Sequence, residues 1–487
     1  MILNHDICYS VIKSRDERFD GRFFTGVLTT GIYCRPVCPA TTPRAENVQF
    51  YKSAAEAAEA GFRPCLRCRP ESSPGSPEWH GGSATVSRAV RLINEGVMDE
   101  DGLESVASHL HLGTRQLRRL FVKHLGVSPI AVVQTRRLHF AKKLIDETNL
   151  PMSDIAFSAG YQSIRRFNDA FQKTYNRTPT ELRRKNVDEK TAVSHLKLKL
   201  AYRPPFNWDA LVQFLQMRAI PGVESVEPAR YARTVVFGNL NGIIEVAPMQ
   251  NKNYLQLSVP SHLARHLQTI TEKVRRLFDL QADPIQIQNH LSQDELLAPV
   301  LAQHPGLRLP GCWDGFEISV RAILGQQVSV KGATTISGRL VERLGSRITA
   351  ISNDSALSHI FPTPEQIVAG DLSKLGMTHK RAEAIRTLAQ AVLDKRVTFS
   401  TPTSLEEAID TLIQLPGIGD WTAQYIAMRA LSEPDAFPAG DLILRRAAAP
   451  PDNTFTEKQL RERAESWRPW RAYAAVYLWK RGVGLKA

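Results

Sequence analysis

The chain has 487 residues, which at roughly 100–200 residues per domain indicates about three domains. Its composition, with 43% hydrophobic and 23% charged residues, excludes a wholly disordered or collagen-like chain. The formal net charge of +13 and the pI of about 9.5 favour a polyanionic partner such as nucleic acid, although a merely basic solvated surface explains the charge equally well.

No stretch reaches the ~18 consecutive apolar residues of a membrane span. The first residues, Met1 to Asp6, lack the basic and apolar regions of a secretory signal. We therefore expect a cytoplasmic protein. Six cysteines are too few for a disulfide framework in a chain of this length, and four of them cluster in the first part of the sequence.

The cluster consists of Cys34 and Cys38, with three residues between them, and Cys65 and Cys68, with two residues between them. Four thiolates at such spacing can close a tetrahedral metal site, which predicts one bound Zn²⁺, although such ligation by itself suits iron as well. Spacing alone leaves open a zinc ion that only holds a small domain together.

The sequence around the cysteines resembles the N-terminal domain of the Ada family over nearly the whole of 1–70. The residues that carry the resemblance are 29–38 (TTGIYCRPVC), 44–51 (RAENVQFY) and 61–68 (GFRPCLRC). The resemblance implies that Cys34 is zinc ligand and nucleophile together and removes a methyl group from an alkylated DNA phosphate. Zinc suits this chemistry because it keeps a thiol deprotonated at neutral pH.

The same resemblance implies that Thr30 and Arg63 contact DNA, and three further arginines near the cluster are candidate phosphate ligands: Arg35, Arg44 and Arg67. Each of these arginines could instead be an ordinary surface residue. Converting one thiolate to a thioether makes the zinc centre one unit less negative, which weakens its repulsion from the DNA backbone. Methylation would thus act as a binding switch.

Residues 71–84 are predicted to form a linker, since nine of the thirteen residues 71–83 are Ser, Pro or Gly. Helical patterning follows, with two helix-turn-helix candidates at 103–121 and 153–171. Phe121 and Phe171 each stand eight positions before a proline, Pro129 and Pro179, which indicates an internal repeat.

Residues 85–184 resemble the DNA-binding domain of AraC-type transcription factors, although a plain helical bundle is the alternative. The resemblance implies that helices beginning near Thr114 and Ser163 enter neighbouring major-groove segments. Leu117, Phe121, Phe167 and Phe171 are predicted to be core. The candidate DNA contacts are Arg115, Gln116, Arg118, Arg119, Arg165, Arg166 and Asn168.

After a second predicted linker at 185–195, residues 196–202 alternate like a strand and open an α/β subdomain assigned to 196–310. Residues 415–423 (LPGIGDWTA), within the last predicted domain at 311–487, have the pattern of a helix-hairpin-helix. Gly417 and Gly419 would let the backbone approach a phosphate of DNA. Such a hairpin by itself is more often a DNA clamp than an enzyme signature.

Asp441 stands 22 residues beyond Gly419, where helix-hairpin-helix DNA glycosylases carry their catalytic Asp. The unit from 196 to 487 resembles the AlkA-type 3-methyladenine glycosylases, on the residues 308–316 (RLPGCWDGF), 321–329 (RAILGQQVS), 375–382 (LGMTHKRA) and 467–473 (WRPWRAY). The resemblance implies an aromatic pocket for a flipped base, formed by Trp421, Tyr425 and Trp479.

Two residues refine this reading. Trp421 replaces the Lys of the glycosylase-lyase branch, so a monofunctional hydrolase without cofactor is expected. Gln327 stands where some relatives place an apolar wedge, so we assign it to DNA contact. Which side chain fills the space that the flipped-out base leaves in the duplex stays open. The Pro-Cys-His-Arg motif of a second methyltransferase domain does not occur in the sequence, so direct O6-methylguanine repair is not predicted.

The predicted fold class is multidomain and mainly α: a small α/β zinc domain, an all-α double helix-turn-helix domain, and an α/β subdomain with an all-α helix-hairpin-helix glycosylase domain. The predicted function is a bacterial, nucleoid-associated activator of repair genes that also excises alkylated bases, with double-stranded DNA and RNA polymerase as partners and no membrane. One alternative is a transcription factor whose C-terminal module only binds DNA. Another keeps the glycosylase and makes the zinc purely structural.

Overall fold

A computed structural model describes residues 4–74, 84–94, 96–100, 102–183, 194–348, 356–399 and 404–482. The chain folds into two compact units. The N-terminal unit contains Met1–Pro204, Val246–Arg275 and Leu280–Ala282, and the C-terminal unit contains Pro205–Glu245, Arg276–Asp279 and Asp283–Ala487. Among the described residues, no helix is long and apolar enough to cross a membrane.

The N-terminal unit begins with a small mixed domain. Its elements are α1 (His5–Ser14), β1 (Phe24–Val27), β2 (Ile32–Cys34), β3 (Val48–Tyr51), α2 (Ala54–Glu59) and β4 (Arg63–Pro64), with short 3-10 helices at Glu17–Phe19, Ala45–Asn47 and Pro70–Ser72. The sheet order is β3-β1-β2-β4, and only β2 and β4 pair in parallel. Phe24, Tyr33 and Ala57 form a buried cluster. The predicted small α/β domain is confirmed.

The described residues between 84 and 183 form eight helices, in agreement with the helical pattern of the sequence. They are α3 (Ala84–Asn94), α4 (Val97–Glu100), α5 (Gly102–His109), α6 (Thr114–Leu125), α7 (Pro129–Glu147), α8 (Met152–Ser158), α9 (Ile164–Tyr175) and α10 (Pro179–Leu182). The pairs α5–α6 and α8–α9 are the two helix-turn-helix repeats. Leu117, Phe121, Phe167 and Phe171 are fully buried, which confirms them as core.

The internal repeat extends to the helix ends. Helices α6 and α9 both end at a residue with left-handed backbone, Gly126 (φ 77°) and Asn176 (φ 54°), residue types that adopt this conformation at low cost. The next helices start with Pro129 and Pro179, whose fixed φ suits a first helical position.

The chain continues through a five-stranded sheet and a largely helical region. The elements are β5 (His195–Ala201), α11 (Trp208–Gln216), β6 (Glu224–Glu227), β7 (Arg230–Phe237), β8 (Leu240–Pro248), β9 (Tyr254–Pro260), α12 (Leu267–Leu277), α13 (Pro284–Leu291), α14 (Ala298–Gln303), α15 (Gly315–Leu324), α16 (Val330–Leu344), α17 (Pro364–Ala369), α18 (His379–Leu393), α19 (Leu405–Ile413), α20 (Asp420–Ala430), α21 (Leu442–Ala448), α22 (Glu457–Arg463) and α23 (Arg471–Gly482). The sheet order is β5-β9-β8-β7-β6. The compact-unit boundary falls within β8. The mainly α, multidomain fold class is confirmed.

The predicted domain boundaries stay predictions. Residues 75–83 of the first linker and 185–193 of the second lie outside the described residues. Glu71, assigned by sequence to the first linker, belongs to the 3-10 helix Pro70–Ser72, and its side chain is 2% exposed.

A hydrogen bond joins the zinc domain to the long helix α7. The Tyr33 hydroxyl lies 2.7 Å from Nε2 of His139, and burial lowers the pKa of His139 from its ordinary 6.5 to about 4. The imidazole is therefore neutral at pH 7, and the phenol donates to it. Tyr33, the neighbour of Cys34, is 1% exposed.

This contact predicts a pH-dependent stability. As pH falls from about 6.5 to 4, the unfolded chain protonates His139 while the folded chain does not, so the free energy of unfolding falls by up to about 3 kcal/mol. We expect His139→Gln to remove this part of the acid sensitivity, measured by urea unfolding at pH 7 and 4.5. The control is His109→Gln, at an exposed position of α5. An unchanged pH dependence in His139→Gln contradicts the assignment.

Candidate active sites and DNA interface

The four cysteines come together at one end of the small sheet. Cys34 ends β2, Cys38 follows it in a turn, and Cys65 and Cys68 follow β4. All four sulfur atoms lie within 4.8 Å of one another. Tetrahedral zinc with Zn–S bonds of about 2.3 Å requires sulfurs about 3.8 Å apart, so the cluster fits this ion. Cys65 and Cys68 are buried, whereas Cys34 and Cys38 are partly exposed.

The thiols influence one another strongly. A hydrogen bond with Cys34 lowers the pKa of the Cys38 thiol to about 7, whereas hydrogen bonds with Cys38 and Cys65 raise the pKa of Cys34. Opposite shifts arise because the sulfurs share protons and repel one another when ionised. A divalent cation held by all four sulfurs removes this conflict and stabilises the full set of thiolates.

A cavity of about 330 Å³ opens beside the cluster, with Cys34, Cys38 and Cys65 in its wall. Thr30, Arg63 and Arg67 also line it and are exposed. Most of the other lining side chains are apolar, among them Ile12, Val27, Ile32, Pro36 and Leu66. The site thus combines a sulfur nucleophile, an apolar wall that suits a methyl group, and cations that suit a phosphate.

The other two candidate arginines differ from each other. Arg35 is largely buried and forms an ion pair with Asp20, and its Nη1 donates to the carbonyl oxygen of Cys68 at 3.1 Å. Its backbone N–H also donates to the Cys68 sulfur at 3.4 Å. The side chain of Arg44 is 84% exposed and 3.9 Å from Glu46. Arg35 therefore organises the loop around the cluster, and Arg44 is on the surface.

All the candidate DNA contacts of the helix-turn-helix repeats are exposed. On α6 they are Arg115, Gln116, Arg118 and Arg119, and on α9 they are Arg165, Arg166 and Asn168. They alternate with the buried Leu117, Phe121, Phe167 and Phe171, so each helix has an apolar inner face and a polar outer face. The outer faces are suited to the major groove.

In the C-terminal unit, α19 and α20 form the predicted helix-hairpin-helix. Gly417 has φ 87°, and a Cβ atom there would lie 2.6 Å from Cβ of Ala384, so glycine is required. Gly419 is the N-cap of α20 and brings no capping side chain. The first N–H groups of α20 are thus suited to a DNA phosphate.

The loop before α16 is tied to this hairpin. The side-chain amide of Gln326 donates to the carbonyl oxygen of Gly417 and to the hydroxyl of Thr422, both at 2.9 Å. The next residue, Gln327, is exposed and has φ 53°, an uncommon backbone conformation for a residue other than glycine. The hydrogen bonds of Gln326 hold Gln327 beside the hairpin.

Asp441 has two roles in the structure. It is the N-cap of α21, and Oδ1 accepts a hydrogen bond from the backbone N–H of Leu444 at 3.0 Å. The two indole N–H groups also donate to it: Trp479 to Oδ1 at 3.3 Å and Trp421 to Oδ2 at 3.2 Å. The carboxylate is therefore fixed in orientation by three donors.

The carboxylate and the aromatic residues line one cavity of about 390 Å³, to which Trp421, Tyr425, Asp441 and Trp479 all contribute. Trp421 stacks on Tyr425 with their ring centres 5.4 Å apart, and Trp479 lies 6.3 Å from Tyr425. Gly325, Val328 and Val330, around Gln327, line the same cavity. The structure thus brings together residues that sequence analysis had grouped.

Further residues at this cavity carry no motif that would reveal them in the sequence. Phe214 and Arg218 line it from the other end of the unit's sequence, and Arg429 donates to the Tyr425 hydroxyl at 2.6 Å. Although burial acts to raise the pKa of Tyr425, the charges of Arg429, Arg218 and Arg321 outweigh it and hold that pKa below its ordinary value. The cavity therefore has an acidic side at Asp441 and a basic side at Tyr425.

Comparisons with known proteins agree with this geometry. Four family profiles match: metal binding domain of Ada (7–71), helix-turn-helix domain (106–185), AlkA N-terminal domain (197–314) and HhH-GPD superfamily base excision DNA repair protein (320–471). A probable bifunctional transcriptional activator/DNA repair enzyme AlkA of Mycobacterium tuberculosis is 42% identical over 97% of this chain and 95% of that protein. The chain belongs to this family of bifunctional activators and repair enzymes.

Two glycosylases also match more than half of the present chain. DNA-3-methyladenine glycosylase 2 of Escherichia coli K12 is 38% identical over 58% of this chain and 95% of its own length. The solved 3-methyladenine DNA-glycosylase of Archaeoglobus fulgidus covers 59% of this chain and 99% of its own, with 22% identity and a TM-score of 0.52, which shows a shared fold. The family resemblances read from sequence are confirmed.

The cysteine geometry predicts one zinc ion per chain. We expect elemental analysis of the purified protein to find it, and Cys65→Ser to lose it and to unfold at a lower temperature, because metal binding contributes folding free energy. Cys8→Ser changes a buried cysteine outside the cluster and should retain the metal. Equal zinc content in the two variants is incompatible with four-cysteine ligation.

Proposed function

We propose that the chain carries out two reactions on alkylated DNA and couples one of them to transcription. Cys34 accepts a methyl group from a DNA methylphosphotriester in a single turnover. The C-terminal unit hydrolyses the N-glycosidic bond of alkylated bases such as 3-methyladenine. The observation that carries the second activity is the Asp441 carboxylate in an aromatic cavity next to the hairpin.

Base excision begins with a nucleotide turned out of the duplex into the cavity. A ring-alkylated purine is cationic, so the faces of Trp421, Tyr425 and Trp479 can hold it by stacking and cation–π attraction. Its positive charge makes it a good leaving group. The remaining requirement is stabilisation of the positive charge that develops on the sugar.

Asp441 meets that requirement. Its carboxylate stabilises an oxocarbenium-like transition state and accepts a proton from the attacking water. The indole N–H groups of Trp421 and Trp479 orient the two oxygens, so little reorganisation accompanies the reaction. Trp421 stands at the hairpin position where a lyase carries its Lys. Because this chain lacks that Lys, it leaves the DNA strand uncut.

The DNA contacts of the glycosylase follow from the hairpin. The backbone at Gly417 and Gly419 binds a phosphate near the lesion. Gln327, exposed and held beside the hairpin through Gln326, enters the duplex where the flipped nucleotide has left. Its side-chain amide can hydrogen-bond to the orphaned base, which an apolar wedge cannot do.

Methyl transfer takes place at the cysteine cluster. The Cys34 sulfur attacks the methyl carbon, a new S–C bond forms as the C–O bond of the phosphotriester breaks, and the electron pair leaves with the phosphate oxygen as a diester anion. Bound zinc supplies a stable thiolate at neutral pH. Arg63 and Arg67 hold the phosphate, Thr30 contacts the backbone, and Arg35 positions the loop.

Loss of one thiolate charge lowers the repulsion between this domain and DNA, which strengthens promoter binding. The exposed residues of α6 and α9 then read the promoter from the major groove. In this proposal, the bound protein recruits RNA polymerase to repair genes in the bacterial cytoplasm.

The glycosylase assignment predicts the effect of Asp441→Asn. Asn is as good a helix N-cap as Asp, so the fold is retained, but the negative charge is lost. We expect the rate of base release from methylated duplex DNA to fall by about 100-fold or more. The measurement is chromatography of released bases with the full-length protein.

The matched control is Asp314→Asn, the same change at the N-cap of α15 and outside the cavity wall. It should release bases at the native rate. If native protein that binds DNA releases no methylated base, the C-terminal unit is a binding module. If Asp441→Asn keeps full activity, another group performs the hydrolysis.

The methyl-transfer assignment predicts a stable adduct. After incubation with DNA that contains methylphosphotriesters, we expect peptide mass spectrometry to find one methyl group on Cys34 and none on Cys38, Cys65 or Cys68. Cys312→Ser, a change outside the cluster, should not reduce uptake. Zinc-loaded protein without an adduct leaves the zinc with a structural role, whereas an adduct on another cysteine contradicts the assignment of the nucleophile to Cys34.

A further inference from the structure

The N-terminal unit contains more than the zinc and helix-turn-helix domains. It also includes β5, an edge strand of the five-stranded sheet, and its neighbour β9, which together are called the outer strands below. Most of β5 and all of β9 fall within the match to the AlkA N-terminal domain, 197–314. The regulatory part of the chain is therefore packed in one compact unit with strands that belong to the glycosylase by sequence.

Helix α7 contacts the outer edge of β5 through two side chains. The backbone N–H of Lys199 donates to Oε2 of Glu147 at 2.9 Å, and its carbonyl oxygen accepts from Nζ of Lys143. Lys199 pairs with Gln256 of β9. In an antiparallel pair, the N–H and C=O of one residue point to the same side, and here they point away from β9 and toward α7.

Lys143 and Glu147 therefore act on β5 as a neighbouring strand would. They stand four residues apart on α7, with Nζ and Oε2 3.8 Å from each other. Their spacing offers one donor and one acceptor to a single residue of the sheet edge. An unpaired sheet edge can hydrogen-bond to strands of other protein chains, so the contact with α7 also protects the sheet from aggregation.

The two residues belong to a buried cluster of three basic and three acidic side chains, which extends to the zinc domain: Arg69, Glu71, Lys142, Lys143, Asp146 and Glu147. Arg69, directly after Cys68, lies 2.9 Å from Asp146. Apart from Arg69, which is 23% exposed, these side chains are at most 5% exposed. Buried charges are costly without partners, so the cluster favours one arrangement of the elements that supply it.

Two more hydrogen bonds join the same parts of the unit. The hydroxyl of Ser158 at the end of α8 donates to the carbonyl oxygen of Ala264, and both residues are buried. The side-chain amide of Gln268 on α12 donates to the carbonyl oxygen of Asn94 at the end of α3. Helices α3, α7 and α8 thus supply the interface, and the candidate DNA contacts on α6 and α9 stay exposed.

We propose that Lys143 and Glu147 are a docking clamp for the edge of β5, which makes the regulator and the outer strands of the glycosylase's N-terminal domain one DNA-binding body. When the regulator binds a promoter, these strands therefore stay packed against it. The clamp requires neither methyl transfer nor base excision, so it can fail or hold independently of the proposed function.

The test is hydrogen exchange of single amides in the full-length protein. We expect the Lys199 amide to exchange slowly in the native protein, and at least tenfold faster in the double variant Lys143→Met/Glu147→Met. The double variant removes both charges at similar side-chain length, so no lone charge remains in the pair. The amide of Leu198, which points toward β9, is the internal control and should stay protected in both.

Fast exchange at Lys199 in the native protein overturns the clamp, as does full protection in the folded double variant. A second measurement needs no variant. In the native chain, acylation of lysines should modify the exposed Lys173 of α9 readily and leave Lys143 unmodified. Labelling of Lys143 as fast as Lys173 also overturns the proposal.

Discussion

A charge withdrawn from water needs partners at hydrogen-bond distance, and the functional parts of this protein are built around that constraint. Four thiolates at the end of the small sheet need a cation between them. Six charged side chains around α7 neutralise one another. Asp441 is held by two indoles and a backbone N–H. In each case the partners determine both the local structure and the chemistry available to it.

The constraint has different consequences at the two proposed reaction sites. At the cysteine cluster, a cation among the four sulfurs would keep the nucleophilic thiol deprotonated at neutral pH. The apolar cavity wall beside Cys34 suits a methyl group better than water. At Asp441 the carboxylate stays an acceptor in a cavity whose other wall is aromatic. The first site suits an electrophilic methyl carbon, and the second suits a cationic base and sugar.

The buried charge cluster gives the N-terminal unit its architecture. Helix α7 contacts the zinc domain through His139 and the sheet edge through Lys143 and Glu147. Helices α6 and α9 need only their inner faces for this packing, which leaves the arginine-rich outer faces exposed. One helix can thus hold three parts of the unit without occupying the surface proposed to bind DNA.

Local patterns in the sequence were sufficient for several features. The cysteine spacing predicted a single cluster, because two short turns can each place a pair of sulfurs at one point. The fifty-residue repeat predicted two helix-turn-helix elements and their core residues, since apolar spacing along a helix determines which face is buried. The hairpin and the Asp 22 residues beyond it predicted one wall of the cavity that contains Asp441.

Other features depended on tertiary structure alone. Phe214 and Arg218 reach the cavity of Asp441 from more than 200 positions away in the sequence, and nothing in the pattern of α11 connects them with it. The pairing of Arg35 with Asp20, which gives this arginine a structural role, is likewise invisible in spacing. The sequence by itself determined which chemical groups occur and which helix faces are apolar, because both follow from neighbouring residues. Which distant groups meet, as Lys143 meets Lys199, was decided by the packing of whole elements against one another.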